Sequence, residues 1–278
     1  MTDESSRSRA ARRAAEQALV RVVHHYGATP EFVLLGGLVP ELLCSRSGIR
    51  HAGTTDVDVQ VDLEIATGAV NTTRLEHALV NAEFEADPSR VWRWQTEADG
   101  YNAVVKFELL ADLDGEPAGA VVHFDECDVL GAVNVRGTGF AARDYSSLTL
   151  RSRIGGVDYE VGVNVTGIAG FLIAKAAAAR SRRAEKDWYD IAFVLLHNDF
   201  GGPEYAARAT SERFGEDLVG SMRTALDDLL ANFDSPDGQG PQAYASQMIV
   251  DHPGVADAQL RADAVLAVHS FYRGLFPQ

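Results

Sequence analysis

The sequence predicts a mixed α/β (α+β) protein in two parts: an N-terminal half built on a mixed sheet, and a C-terminal half made of helices. Three observations carry that reading. Residues 31–163 contain several short runs with β-type alternation or β-branched apolar content, bounded by glycines and polar turns. Helical stretches are interleaved with the first of these runs, as expected where helices cover a sheet. From Gly167 onward the patterning is helical throughout, beginning with the alanine run 176–179. The expected division is therefore 1–165 and 166–278.

The elements follow in order. Ala14, Ala18, Leu19, Val22 and Val23 recur at helical spacing within 9–26, and Gly27 ahead of Pro30 is the expected stop. An apolar run at 31–35 is broken by Gly36 and Gly37 before helix formers resume at 39–44, which reads as strand, glycine turn, helix. Val57, Val59, Val61 and Leu63 alternate with Asp56, Asp58, Gln60 and Asp62, so a half-buried strand lined by acids on its polar face is expected. Residues 72–84 read as a helix. In the strand expected at 103–110, Val104, Lys106 and Glu108 share one face and Val105, Phe107 and Leu109 the other. Runs at 147–154 and 157–163 around Gly155 and Gly156 predict a hairpin. Thr166 is the expected N-cap of the next helix. Residues 188–196, 204–214, 216–233 and 258–275 are also helical in pattern, with a Gly-, Pro- and Asp-rich linker at 234–242.

Composition narrows the function classes. No run approaches the ~18 consecutive apolar residues of a membrane span. The formal net charge of −15 repels a phosphate backbone over most of the surface, so a nucleic-acid partner requires a local basic patch. The two cysteines, Cys44 and Cys127, are far apart and lack metal-ligand spacing, which argues against a disulfide scaffold and fits a reducing cytoplasm. The basic N-terminal stretch has no apolar core or cleavage signature of a secretory signal.

The residues with most chemistry are Asp56 and Asp58, which at i and i+2 on a strand aim two carboxylates to one side. Like charges that close call for a cation. Oxygen-only donors suit Mg²⁺, which takes one or two protein carboxylates and leaves its other positions to water and phosphate oxygens. A solvated acidic face on an edge strand is the alternative. Gly36 and Gly37, between a strand and a helix, would let backbone N–H groups approach a phosphate, or simply supply a tight turn. Glu108 would complete a three-acid site as general base or further metal ligand, with Asp112 as the other candidate. His24, His25, His51 and His123 have no ligand spacing, and Trp92 and Trp94 read as strand aromatics.

These residues resemble the DNA polymerase β-like nucleotidyltransferases and, within them, the AbiEii-type toxins of bacterial toxin–antitoxin and abortive-infection systems. The resemblance rests on Leu34-Leu35-Gly36-Gly37, on Gly53-Thr54-Thr55-Asp56-Val57-Asp58, on Phe107-Glu108-Leu109-Leu110, and on Lys175 and Arg180 followed by Lys186-Asp187-Trp188-Tyr189-Asp190. It covers roughly residues 31–196. It implies a polymerase β-like core with a helical C-terminal region, and Mg²⁺ or Mn²⁺ held by Asp56, Asp58 and Glu108. It further implies a nucleoside triphosphate bound by Gly36, Gly37, Thr54, Lys175 and Arg180, with Asp187 and Asp190 orienting a basic group or the nucleotide. The implied catalytic set is Asp56, Asp58, Glu108 and Lys175. The implied acceptor is RNA, at a tRNA 3′ end, with a separately encoded antitoxin as partner. A small-molecule acceptor and a non-catalytic nucleotide-binding module are the alternatives.

Lysine usage adds a separate clue. Only Lys106, Lys175 and Lys186 are lysines among the 25 basic residues. An ammonium meets phosphate as a compact point charge, unlike the arginine fork. On one continuous helix Lys175, Arg182 and Lys186 would form a basic ridge.

Overall fold

The computed structural model describes residues 8–61, 70–98 and 103–277, so the expectations for residues 1–7 and for Asp62 and Leu63 lie outside the described residues. The chain divides into two compact units, one of residues 8–39 and 53–166 and the other of residues 40–52 and 167–277.

The first unit is a mixed sheet with helices. Its main strand order is β3-β4-β5-β2-β1-β9-β8, built from β1 (Val33–Leu35), β2 (Asp56–Gln60), β3 (Glu85–Asp87), β4 (Arg90–Ala98), β5 (Ala103–Ala111), β8 (Tyr145–Ile154) and β9 (Val157–Thr166). Two short strands, β6 (Val121–His123) and β7 (Gly131–Asn134), extend it beside the end of β5. The β1–β9 and β2–β5 pairs are parallel, whereas β1–β2 and β4–β5 are antiparallel. One sheet face buries Val57, Val59, Val105, Phe107, Leu109 and Trp94, with α1 (Arg9–Tyr26) and α3 (Val70–Asn81) packed in the same unit. Ser8 caps α1 by accepting the Ala11 N–H, and Gly27 ends it at φ +76°. The β8–β9 turn is Gly155-Gly156, both at positive φ, as a two-residue hairpin loop requires.

On the other face the two ends differ. Val33, Leu35 and Leu110 pack with Ala141 of α4 (Gly139–Arg143). Asp112, the second candidate for a third acid, belongs to this end: its Oδ2 accepts the N–H groups of Gly137 and Gly139, which assigns it to holding the turn into α4. Toward the start of β2 the same face carries Asp56, Asp58, Lys106 and Glu108.

The second unit consists of helices α5 (Ile168–Arg182), α6 (Glu185–His197), α7 (Gly202–Phe214), α8 (Gly220–Asn232), α9 (Gln239–Asp251) and α10 (Asp257–Leu275), joined by residues 40–52, which include most of α2 (Val39–Leu43). Segment 40–52 was expected with the first domain. It is held instead by polar contacts to α6 and the loop after it: Asp199 accepts from Ser45 Oγ and the Arg46 N–H, and Ala52 N–H donates to Tyr189 Oη. Other expectations need correction. Thr166 closes β9 and Gly167 is the N-cap of α5. The continuous basic ridge does not form, because Arg183 adopts the left-handed region at φ +49° and ends α5 before α6 begins. The expected linker 234–242 runs into α9, whose Gly240 and Pro241 fall in its first turn, where a missing N–H costs nothing.

His197 on α6 gives the second unit a testable pH dependence. Its Nε2 lies 2.9 Å from Tyr244 Oη and its ring packs on Phe193. Burial, with His252 nearby, lowers its pKa from 6.5 to about 4. A depressed histidine is neutral when folded, so its contribution is complete above pH 6.5 and is lost as pH falls from there toward 4. Urea unfolding at pH 7 and pH 4.5 should show a loss that His197→Gln removes, on the order of 2 kcal/mol.

Candidate active site

Strand register assembles the charged face. Across the sheet, Leu35 on β1 stands opposite Asp58 on β2, Asp58 beside Glu108 on β5, and Glu108 opposite Arg93 on β4. One row along, Asp56 is the register partner of Lys106. Side chains in register on neighbouring strands point to the same side, so these residues share one face with strand spacings of about 4.8 Å. Two acids, Asp58 and Glu108, stand side by side on it, with Arg93 beyond Glu108 and Lys106 beside Asp56.

The ion pairs follow that ladder. Arg93 Nε and Nη2 lie 2.6 and 2.5 Å from Glu108 Oε1. Lys106 Nζ is 3.6 Å from Asp56 Oδ1. Arg93 was missed in the sequence reading. Its signal was available, since Trp94 is buried on the helix-covered face and Arg93 must alternate to the other.

The glycine pair meets the same face. Gly36 sits at φ +75°, and a Cβ there would fall on the Asp58 carboxylate. A Cβ on Gly37 would come within 2.9 Å of Thr54 Cβ and Cγ2. Thr54 Oγ1 in turn accepts the Asp56 N–H at 3.0 Å, fixing the start of β2. Gly36, Gly37, Thr54, Asp56, Asp58 and Glu108 are thus brought together. The room left by the missing side chains is used by Asp58 and Thr54. Gly36→Ala should therefore destabilise the protein by about 2–4 kcal/mol, combining left-handed strain with a forced shift of Asp58. Gly48→Ala, at φ +73° with nothing near its Cβ position, should cost only about 1–2 kcal/mol in the same urea titration.

Among the described residues, no group of three or more His, Cys, Asp or Glu side chains is arranged to hold a metal ion. The donor set suited to a hard cation is the Asp56–Asp58 pair on one strand; Glu108 is bound at close range by Arg93, and Asp56 more loosely by Lys106 at 3.6 Å. Two carboxylates fit magnesium, which completes its shell with water and phosphate oxygens.

In the second unit, Lys175, Asp187 and Asp190 form a buried network. Lys175 Nζ donates to Asp187 Oδ1 at 3.1 Å and to Asp190 Oδ2 at 2.6 Å, with the three residues 6%, 0% and 2% exposed. Arg182 donates twice to Asp187 at 2.6 Å. His51 Nε2 lies 2.9 Å from Asp190 Oδ1, its ring against Tyr189 and Phe193. Burial alone would lower the Lys175 pKa, but Asp190 and Asp187 outweigh it and hold it above the usual lysine value. Burial likewise opposes ionisation of Asp187, and Lys175 and Arg182 overcome it to hold that carboxyl below the usual range. The Lys175 ammonium, expected to grip phosphate, is engaged by these carboxylates. Arg180 is exposed at the end of α5 and donates to Ser221 O at 3.3 Å.

No protein-family model matches the chain, and comparison with curated proteins finds no match. Among solved structures, the chain is similar to the crystal structure of an antigenic nucleotidyltransferase-like protein from Paracoccidioides brasiliensis, at 17% identity over 81% of this chain and 89% of that one, with a TM-score of 0.36. No helix among the described residues is long and apolar enough to cross a membrane.

Proposed function

We propose that the Asp56–Asp58 face is the active site of a divalent-metal-dependent nucleotidyltransferase, moving a nucleoside monophosphate from a nucleoside triphosphate to an acceptor hydroxyl with release of pyrophosphate. One observation carries the reading: two aspartates of one strand project from the same sheet face, with Asp58 seated against the Gly36 backbone. Mg²⁺ or Mn²⁺ held by Asp56 and Asp58 would neutralise charge on the phosphates.

The remaining steps belong to side chains of this unit. Gly36 and Gly37 fix Asp58 and Thr54, and thereby the spacing of the two carboxylates. Arg93 pins Glu108 through Oε1, which leaves Glu108 oriented to take a hydrogen bond, and then the proton, from the acceptor hydroxyl. Catalysis of this kind rests on positioning and electrostatics. Lys175, Asp187 and Asp190 act in this reading as the polar framework of the helical unit. The acceptor class we assign is RNA, at a tRNA 3′ end, with an antitoxin as the opposing partner, as the motif resemblance implies. At a net charge of −15, RNA contact has to be local.

The test is incubation with Mg²⁺, each of the four α-labelled nucleoside triphosphates and total cellular RNA. Label in a discrete RNA band, abolished by EDTA, is the expected result. Pyrophosphate released only with a mixture of hydroxyl-bearing metabolites or antibiotics would move the acceptor to a small molecule. No pyrophosphate with any acceptor would overturn the enzymatic reading in favour of a binding module.

A further inference from the structure

Resting on that reading, we propose that Lys106 is the resident counter-cation of Asp56, opposing the loading of a bare metal ion and favouring arrival of the metal together with the nucleotide. Lys106 is the register partner of Asp56 on the neighbouring parallel strand, and its Nζ stands 3.6 Å from Asp56 Oδ1. The nearby Arg93 pairs with Glu108, so Lys106 is the lysine of this face that stands at Asp56.

A divalent ion entering at Asp56 meets the ammonium at a few ångströms. With the exposed ammonium swung out to about 6 Å and a dielectric near that of water, that repulsion lowers affinity roughly tenfold. A triphosphate changes the balance. The Lys106 side chain is 37% exposed on a flexible four-carbon stem, so its ammonium is able to leave Asp56 for a phosphate oxygen while the metal takes the carboxylate. Metal and nucleotide then help one another, and the coupling is reciprocal. Lys106 is also one of only three lysines in the chain, at a position where a movable point charge is useful and an arginine fork would lock onto the carboxylate.

The test measures two affinities with opposite expected signs in the full-length protein. Mn²⁺ binding without nucleotide is followed by electron paramagnetic resonance, and binding of a non-hydrolysable α,β-methylene nucleoside triphosphate with saturating Mn²⁺ by calorimetry. In Lys106→Met the Mn²⁺ affinity should rise about tenfold while the nucleotide affinity falls about tenfold; Lys106→Arg should keep the nucleotide affinity within a few-fold of wild type. A structural role would move both affinities down together. Unchanged or weakened Mn²⁺ binding in Lys106→Met would overturn the inference. The parent reading has its own control: Asp56→Asn should lose Mn²⁺ binding, and retention there would mean that Asp56 is not a metal ligand at all.

Discussion

Replacing Lys175 by methionine is expected to destabilise the helical unit by about 3–5 kcal/mol, the usual consequence of removing one partner from a buried ion network. Methionine fills much the same volume, so the cost arises from charge. Asp187 would retain Arg182, and Asp190 would retain His51 but lose its ammonium partner. Denaturant unfolding is the measurement. Adding Asp190→Asn to Lys175→Met should recover part of the loss, because the second change removes a buried carboxylate charge that the lysine had neutralised. The pH dependence has a definite sign. Asp187 is held below the usual carboxyl range, so its contribution is present at neutral pH and disappears as pH falls through that range. In Lys175→Met the fall should begin at higher pH. An unfolding midpoint unchanged from wild type, with a raised KM for nucleotide, would instead assign Lys175 to phosphate binding.

The second large effect is catalytic. Asp56→Asn keeps the shape of the side chain and removes the charge that holds a cation. Nucleotide transfer should fall about a thousandfold or more, while the melting temperature stays within a few degrees of wild type because Asp56 is only half-buried at the start of its strand. Asp58→Asn should lose activity to a similar degree, and a comparable melting profile would separate chemistry from folding.

Much of this site was legible from residue order, for a physical reason. Strand periodicity is local: once 56–60 is a strand, Asp56 and Asp58 must share a face, and so must Lys106 and Glu108. Gly36-Gly37 was legible as a turn, but its use was not. That Asp58 fills the space at Gly36 depends on the β1–β2 register, which sequence spacing does not determine. The same holds for the Arg93 clamp on Glu108, made across a strand pair.

In the helical unit, local pattern misled where tertiary contacts decide. Lys175 reads from the sequence as a phosphate-gripping cation on one basic ridge, yet Asp187 and Asp190 bury and engage its ammonium from across the break at Arg183. Residues 40–52 read as sheet-domain sequence, and only the distant partners Asp190, Asp199 and Tyr189 place them with the helices. Helix α9 was hidden by Gly240-Pro241, which mark a loop in most contexts and a first helical turn here.

The measurement that tests the central claim most directly is a paired incubation of the wild-type protein with α-labelled and γ-labelled nucleoside triphosphate, Mg²⁺ and cellular RNA, with Asp56→Asn alongside. Nucleotidyl transfer at the Asp56–Asp58 face predicts that the α-label enters the acceptor, that the γ-label leaves in pyrophosphate, and that both signals vanish in the variant. Transfer of the γ-label to the acceptor, or α-label incorporation undiminished in Asp56→Asn, would contradict it.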